Sequence, residues 1–326
     1  MSPEKLAALR EIESNLIEHD FPPQLIAETT AFCNFQCSHC HHRDLRRNKG
    51  VMSHDLWTKI VAEVAEHQPD AEFWPTFYGE ALLLGDKLFD WLHQARDMGL
   101  TNLVLNSNGS FCRGDNNDKI LRSGLRRFLL SLDGFTKPTF ERVRATRDPH
   151  GKFEPVYTGV AALLERKQTL DRQGVDTTLI ICQFSMMDEN EHEADDFKDY
   201  WLSRGAHVKL REKLTWTGFV QASNLTASYR DRVACPWTNN TCAIHWNGDV
   251  VACAVDNEGE FVAGNVNDES IHEIWNGPLK KLRQTHREHI WDDLPELCQR
   301  CVDWQAVGAS HYSPDGRVYH SVVATE

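Results

Sequence analysis

An α/β fold is what the sequence predicts: a parallel sheet of six strands with helices outside it, followed by a second, smaller unit. Three observations predict it. Strand-like and helix-like stretches alternate through the first two-thirds of the 326 residues. The strands end, one after another, in polar residues that do not belong in a core. From about residue 231 the pattern changes to a hairpin, a helix and further cysteines.

An amphipathic, acidic helix is expected within residues 1–22. The β-rich runs that follow are 25–29, 72–78, 102–105, 127–132, 177–183 and 207–210. Between them, Ser53 caps a helix carrying Leu56, Ile60, Val61 and Val64. Asp86 opens another with Leu88, Phe89, Leu92 and Ala95, which stops near Gly99. A third stripe holds Val160, Ala161, Leu163 and Leu164, and a fourth, Phe197, Tyr200, Trp201 and Leu202, runs to Gly205. Six such units over 23–230 make either an open sheet or a barrel. In 231–326, residues 243–253 read as two strands around Asn247-Gly248, a type I′ turn signal. A helix over 270–286 and the pair Cys298–Cys301 follow.

Hydrophobic content of 41% and charged content of 25% are those of an ordinary soluble protein. No run approaches the ~18 apolar residues of a membrane span, and Met1-Ser2-Pro3-Glu4 does not open a secretion signal. A cytoplasmic protein is expected, in which ten cysteines serve metal or redox chemistry rather than disulfides. A net charge of −13 argues against nucleic-acid binding.

The chemistry sits at the strand ends, where parallel barrels build it. These ends are Cys33 onwards, Tyr78-Gly79-Glu80, Asn106-Ser107-Asn108-Gly109, Ser131-Leu132-Asp133-Gly134, Gln183 and Arg211. Polar βα loops are common in any such protein; several in register beside a cysteine-rich loop are the signal. Cys33, Cys37 and Cys40 fall within eight residues. Three thiolates are one fewer than a four-iron cluster takes, which leaves one iron open to a small molecule. The same gaps also suit a zinc knuckle. His41 and His42 are expected to face solvent. Cys235, Cys253, Cys298 and Cys301 make a full set of four, suited to structural zinc or a closed cluster. Cys112 reads as a buried apolar residue. Cys182 and Cys242 are the candidates to face the cavity as hydrogen donors. A noncatalytic electron carrier or zinc scaffold is the non-enzymatic alternative.

The CxxxCxxC loop, Tyr78-Gly79-Glu80, Asn106-Ser107-Asn108-Gly109 and Ser131-Leu132-Asp133-Gly134 resemble the motifs of radical S-adenosylmethionine (SAM) enzymes over roughly residues 23–215. The resemblance implies a partial (β/α)6 TIM-type barrel with a small C-terminal β-hairpin/helix cluster-binding extension. It implies a [4Fe-4S] cluster on Cys33, Cys37 and Cys40, with SAM on its open iron. Tyr78, Gly79 and Glu80 would meet the SAM ammonium, although tyrosine replaces the family's first glycine. Asn106, Ser107, Asn108, Ser131 and Asp133 would line its ribose and carboxylate, with Arg142 or Arg144 as the carboxylate clamp. His39 stands where the family carries an aromatic residue.

Residues 231–305 are similar to the SPASM extension, with an auxiliary [4Fe-4S] cluster on Cys235, Cys253, Cys298 and Cys301. No cysteine follows Cys301, so the extension resembles its truncated, twitch-like form with one auxiliary cluster. The family's chemistry is a 5′-deoxyadenosyl radical that takes a hydrogen atom from the substrate. Two outcomes are implied: two-electron oxidation if the auxiliary cluster accepts an electron, or epimerisation if Cys182 or Cys242 returns a hydrogen. The expected substrate is a small molecule such as an aminocyclitol or aminoglycoside, its cationic amino-sugar character suggested by the acidic balance, with a peptide as the alternative. A reductant such as flavodoxin or ferredoxin is the implied partner.

Overall fold

Six parallel strands form the frame: β1 (Gln24–Ala27), β2 (Glu72–Trp74), β3 (Val104–Ser107), β4 (Arg127–Ser131), β5 (Leu179–Met186) and β6 (His207–Glu212). This is a computed structural model, which describes residues 3–222, 225, 231–306 and 308–321. β1 pairs with β2, and β3 to β6 pair in order, all parallel. A single bridge, Phe73 to Leu103, joins the two groups. The result is a partial barrel with helices outside, as expected. All six strands fall on the predicted runs, although the second stops at Trp74 rather than residue 78.

The pleat decides what each strand residue faces. Leu105, Phe128, Leu130, Ile180 and Phe184 point outward into the main core. That core is shared with α2 (His54–His67), α3 (Asp86–Asp97), α6 (Phe153–Arg172) and α7 (Ala194–Leu202). The alternate residues point inward. Val104, Leu129 and Ile181 form an apolar floor with Trp74. Above it Ser131 Oγ donates to Asn106 Oδ1 (2.9 Å) and Gln183 Nε2 donates to Ser131 Oγ (3.1 Å). The barrel is therefore dry at its base and polar at the strand ends. Ser53 caps α2 through the Leu56 amide (3.1 Å). The short helices α4 (Asn116–Arg122) and α5 (Lys137–Val143) were not anticipated, since seven residues hold too few turns to show a period.

The C-terminal unit supplies strands to both open edges of the barrel. β7 (Thr241–Ile244) pairs parallel with β1, and continues through β8 (Asp249–Val251) to β9 (Val262–Asn265). At the other edge β10 (Ala309–Tyr312) runs antiparallel to β6 and turns into β11 (Val318–Ser321). Exposed edges invite pairing with other chains, and this arrangement covers both. The N-terminal helix α1 (Pro3–Ser14) packs on the same unit, placing Leu9 against Val233, Cys235 and Trp304. The expected boundary at 230/231 borders residues 226–230, outside the described ones.

Two local expectations are corrected. The 243–253 hairpin forms, but only Gly248 has positive φ (95°), whereas a type I′ turn requires it at Asn247 as well. The turn spans His245 to Gly248, closed by Gly248 N donating to His245 O (2.9 Å). The helix over 270–286 is two, α9 (Ile271–Asn276) and α10 (Pro278–Arg287). Pro278 cannot donate back along a continuous helix, so the chain breaks at Gly277 and Pro278 starts afresh at the first turn. No helix among the described residues is long and apolar enough to cross a membrane.

Candidate functional site: two thiol centres joined by a cavity

The cysteine loop leaves β1 and is held by backbone pairing to the segment after α5. Gln36 N donates to Ala145 O (2.7 Å) and Ser38 N to Val143 O at the end of α5 (2.9 Å), while within the loop Cys40 N donates to Cys37 O (3.2 Å). Its three thiols line a cavity of about 860 Å³ with Tyr78, Gly79, Glu80, Asn106, Ser107, Asn108, Ser131, Asp133 and Arg144. Those are nearly all the residues the strand ends pointed to. Burial, then neighbouring anionic groups, push the Cys33 and Cys40 thiols up to about 12. A buried thiol in that state is inert unless a cation draws off its proton, which is what an iron cluster does. Three unbridged thiols from one loop facing a cavity fit a site-open cluster.

A second pocket, about 320 Å³, is lined by Cys235, Cys253, Cys298 and Cys301 with Trp237, Trp304 and His286. All four thiols are raised by burial first. Cys235 stands just before the short helix α8 (Pro236–Asn240), Cys253 after β8, and the last pair on α11 (Glu296–Arg300) and its end. Four thiols and no open position suit a closed cluster.

The comparisons agree with this geometry. Residues 27–196, just over half of the chain, match the radical SAM superfamily. The chain belongs to the radical SAM superfamily. Residues 235–302 match SPASM, an iron–sulfur cluster-binding domain. No curated protein matches the sequence. Among solved structures, BtrN in complex with AdoMet and 2-DOIA is similar at TM-score 0.60 and 17% identity, covering 87% of this chain and 94% of that one. SuiB of Streptococcus suis bound to its precursor peptide SuiA reaches 0.64 at 11% identity, over 86% and 70%. The anSMEcpe enzyme with bound AdoMet reaches 0.57 at 15%, over 87% of each. At these identities the likeness concerns the fold. The protein is a radical SAM enzyme that uses SAM, a [4Fe-4S] cluster and an auxiliary iron–sulfur cluster.

Glu80 is a buried carboxylate of this cavity. It accepts from Ser107 Oγ (3.0 Å), Asn108 N (2.8 Å) and Leu82 N (3.3 Å), with no ion-pair partner among the described residues. Burial raises its pKa against these donors, and an incoming ammonium compensates such a carboxylate. Gly79 lies where a side chain would overlap the Thr30 carbonyl oxygen. Tyr78, which follows Phe77 in the cavity wall, is buried and held at both ends of its ring. Its hydroxyl accepts from Asn257 Nδ2 (2.9 Å) and its ring meets Trp216 edge-on, at 4.8 Å between centroids.

The two clamp candidates part company. Arg142 is exposed and donates to the Glu189 carbonyl (2.8 Å), outside the cavity. Its helix turns it to the surface, which corrects that candidate. Arg144 is buried in the wall, pairing with Asp133 Oδ2 (3.0 Å) and donating to the Ser131 carbonyl. Burial alone would raise the Asp133 carboxyl, but Arg144, His39 and the Ser185 amide outweigh it and hold the group down to about 2. Arg144 thus braces the wall beside Cys37 rather than standing free.

Cys182 and Cys242 do not face the cavity. Both are buried in the outward core and line neither cavity. The pleat is the reason: Cys182 sits beside the inward-facing Gln183, and Cys242 is opposite the outward-facing Leu25. His41 and His42 are buried rather than solvent-facing. Glu258 takes His41 Nε2 (2.8 Å), Phe219 stacks on its ring, and His42 Nε2 pairs with the Ala31 carbonyl (2.8 Å). Cys112 is buried in the core, as expected.

A larger cavity, about 1030 Å³, adjoins the first and shares Thr76, Phe77, Asn106, Gln183, Arg211 and Trp216 with it. It also shares Trp237 and Val255 with the four-thiol pocket. Trp216 was missed by sequence reasoning, yet it walls both cavities and donates from its indole to the His39 carbonyl (2.9 Å). Its backbone has φ 53°, and that of Thr217 58°, a conformation rare for such residues and the signal that marks the place.

His245 stacks behind the cavity wall on Phe77 (5.6 Å), its Nε2 unpartnered, and burial followed by Arg47 lowers its pKa to about 3. The unfolded chain therefore takes up a proton near pH 6.5 that the folded chain refuses. This contribution is complete above pH 6.5 and is lost toward pH 3, by up to about 1.4 kcal/mol per unit. Melting curves between pH 7.5 and 5.5 are expected to fall less steeply for His245→Phe than for the parent. Identical slopes would show that the imidazole titrates freely.

Proposed function

We propose that the protein oxidises a small molecule by two electrons, such as an aminocyclitol- or aminoglycoside-sized alcohol becoming a ketone. The observation that carries this reading is the order of the spaces: three-thiol loop, first cavity, larger cavity, four-thiol pocket, each sharing walls with the next. A substrate in the larger cavity then lies between a hydrogen acceptor and an electron acceptor.

In this proposal Cys33, Cys37 and Cys40 hold the first cluster, and Cys235, Cys253, Cys298 and Cys301 the second. Glu80 receives the SAM ammonium. Asn106, Ser107, Asn108 and Ser131 offer hydroxyl and amide groups to the remainder of SAM, while the Asp133–Arg144 pair fixes the wall. Bound there, the cofactors supply a 5′-deoxyadenosyl radical that removes one hydrogen atom and an acceptor for the second electron. Trp74, Phe77, Trp216 and Trp237 wall the substrate from water. Epimerisation needs a hydrogen donor, and neither Cys182 nor Cys242 reaches the cavity. The proposal includes a cytoplasmic setting and a flavodoxin- or ferredoxin-type reductant.

The test uses anaerobically reconstituted, reduced enzyme with SAM and a panel of aminocyclitols, amino-sugars and ring-bearing hydroxy acids in deuterated water. The expected result is a product two mass units lighter, formed with one equivalent of 5′-deoxyadenosine. A Cys253→Ala variant is expected to make 5′-deoxyadenosine but little ketone. A product carrying one solvent deuterium and no net oxidation would overturn the reading in favour of epimerisation.

A further inference from the structure

Arg211 has no counter-ion among the described residues. It lies at the end of β6, opposite Ser185 and Ala309, and lines both cavities at their junction. Its one hydrogen bond is a long one from Nε to the Glu212 carbonyl (3.4 Å), and no carboxylate pairs with it among the described residues. The nearest acids are already engaged. Asp133 is paired with Arg144, and Asp303 accepts from the amides of Thr215 and Thr217 (2.8 Å for the latter). Burial lowers the Arg211 pKa, the mark of a cation withdrawn from water without full compensation.

The other charges around the larger cavity are engaged as well. Glu72 accepts from Gln24 Nε2 (2.6 Å), Trp74 Nε1 (2.5 Å) and Arg127. Both oxygens of Glu212 accept from Lys5 (2.8 Å), and Lys209 has a partner of its own. That leaves the guanidinium of Arg211, at the junction of the two cavities, without a carboxylate partner among the described residues. A guanidinium fork matches the two oxygens of a carboxylate, and the Trp74, Phe77, Trp216 and Trp237 walls suit a ring.

We propose that Arg211 anchors a carboxylate of the substrate, so that the molecule oxidised is a ring-bearing acid. This rests on the reading of the larger cavity as the substrate site. The net charge of −13 describes the outer surface as much as the interior, and the cavity's own unopposed charge is positive. The competing source of a carboxylate is SAM itself. Lys213, which lines only the cofactor cavity, is a cation already available for that one.

The experiment titrates the full-length, reconstituted, SAM-saturated protein with benzoate, benzamide and benzylamine, three ligands sharing one ring and differing in charge, followed by ligand-observed NMR. Benzoate is expected to bind about tenfold tighter than either of the others. Arg211→Gln is expected to erase that preference, and Arg211→Lys to keep part of it, with iron content, melting temperature and SAM affinity unchanged. Three results would each overturn the proposal: no preference for benzoate in the parent, a preference that survives Arg211→Gln, or loss of SAM binding in Arg211→Gln, which would assign the fork to the cofactor. Binding is read without turnover, so a failed oxidation assay and a failed anion preference are separate outcomes.

Discussion

Gly79→Ala is expected to yield protein that neither holds iron on its three-thiol loop nor binds SAM. The added methyl would overlap the Thr30 carbonyl oxygen and lie 2.8 Å from that of Phe32. Both obstacles are backbone, and the Glu80 amide donates to the same Phe32 oxygen (2.8 Å). Relief therefore means displacing the peptide that leads directly into Cys33, or withdrawing Glu80 from the cavity. Overpacking against side chains typically costs about 1–3 kcal/mol. With fixed backbone on both sides the cost should exceed ~4 kcal/mol, among the largest single-residue effects. Gly85→Ala is the control. Gly85 has φ 59° and ψ −134° with open space around it, so alanine there meets no atom and costs only backbone strain, about 1–3 kcal/mol. Iron content, SAM binding and melting temperature of the two variants, side by side, separate a clash at the site from a general loss of glycine. Parent-like iron and SAM affinity in Gly79→Ala would mean that the segment yields freely.

Local signals made the barrel and both thiol sets legible. Each strand is short and bounded, and the cysteines fall where a strand or turn ends, so residue order alone placed them. The same period-2 rule that set Gln183 facing inward also sets Cys182 outward. That part of the hydrogen-donor expectation was decidable from adjacent residues. Other features depend on contacts between residues about 200 positions apart. His41 looks solvent-exposed in sequence because Glu258 and Phe219, which enclose it, are distant in the chain. The pairing of β7 with β1 and β10 with β6 is equally invisible, since nothing in a short β-rich run names its partner. Arg211 stood among the polar strand ends, but its lack of a counter-ion is a property of every side chain around it.

The most consequential long-range contact is Asp303, and its replacement by alanine is expected to weaken SAM binding at a site it does not touch. Asp303 is fully buried beside the four-thiol pocket, and its amide donates to Cys301 Sγ (3.3 Å). Its carboxylate accepts from the Thr215 amide, Thr215 Oγ1 (2.8 Å) and the Thr217 amide (2.8 Å). Those bonds hold Trp216 and Thr217 in left-handed backbone, at φ 53° and 58°. Trp216 in turn ties its indole to the His39 carbonyl and its ring to Tyr78, between the two cavities. Without the carboxylate, two buried amides and a hydroxyl lose their acceptor, and nothing offsets a strain of about 1–3 kcal/mol per residue. The turn should relax and withdraw Trp216 from the cysteine loop. A loss near 3 kcal/mol lowers the melting temperature by roughly 4–5 °C in a chain of 326 residues. SAM affinity should fall about tenfold or more. Asp303→Asn retains one acceptor oxygen but turns an NH2 toward an amide donor, so it should fall between alanine and the parent. Trp216→Gly tests the route, since glycine accepts the backbone without strain and removes the indole. If the tryptophan is the link, this variant should lose SAM affinity even though its backbone is unstrained. Parent-like SAM binding in Asp303→Ala would show that the two thiol centres are mechanically independent.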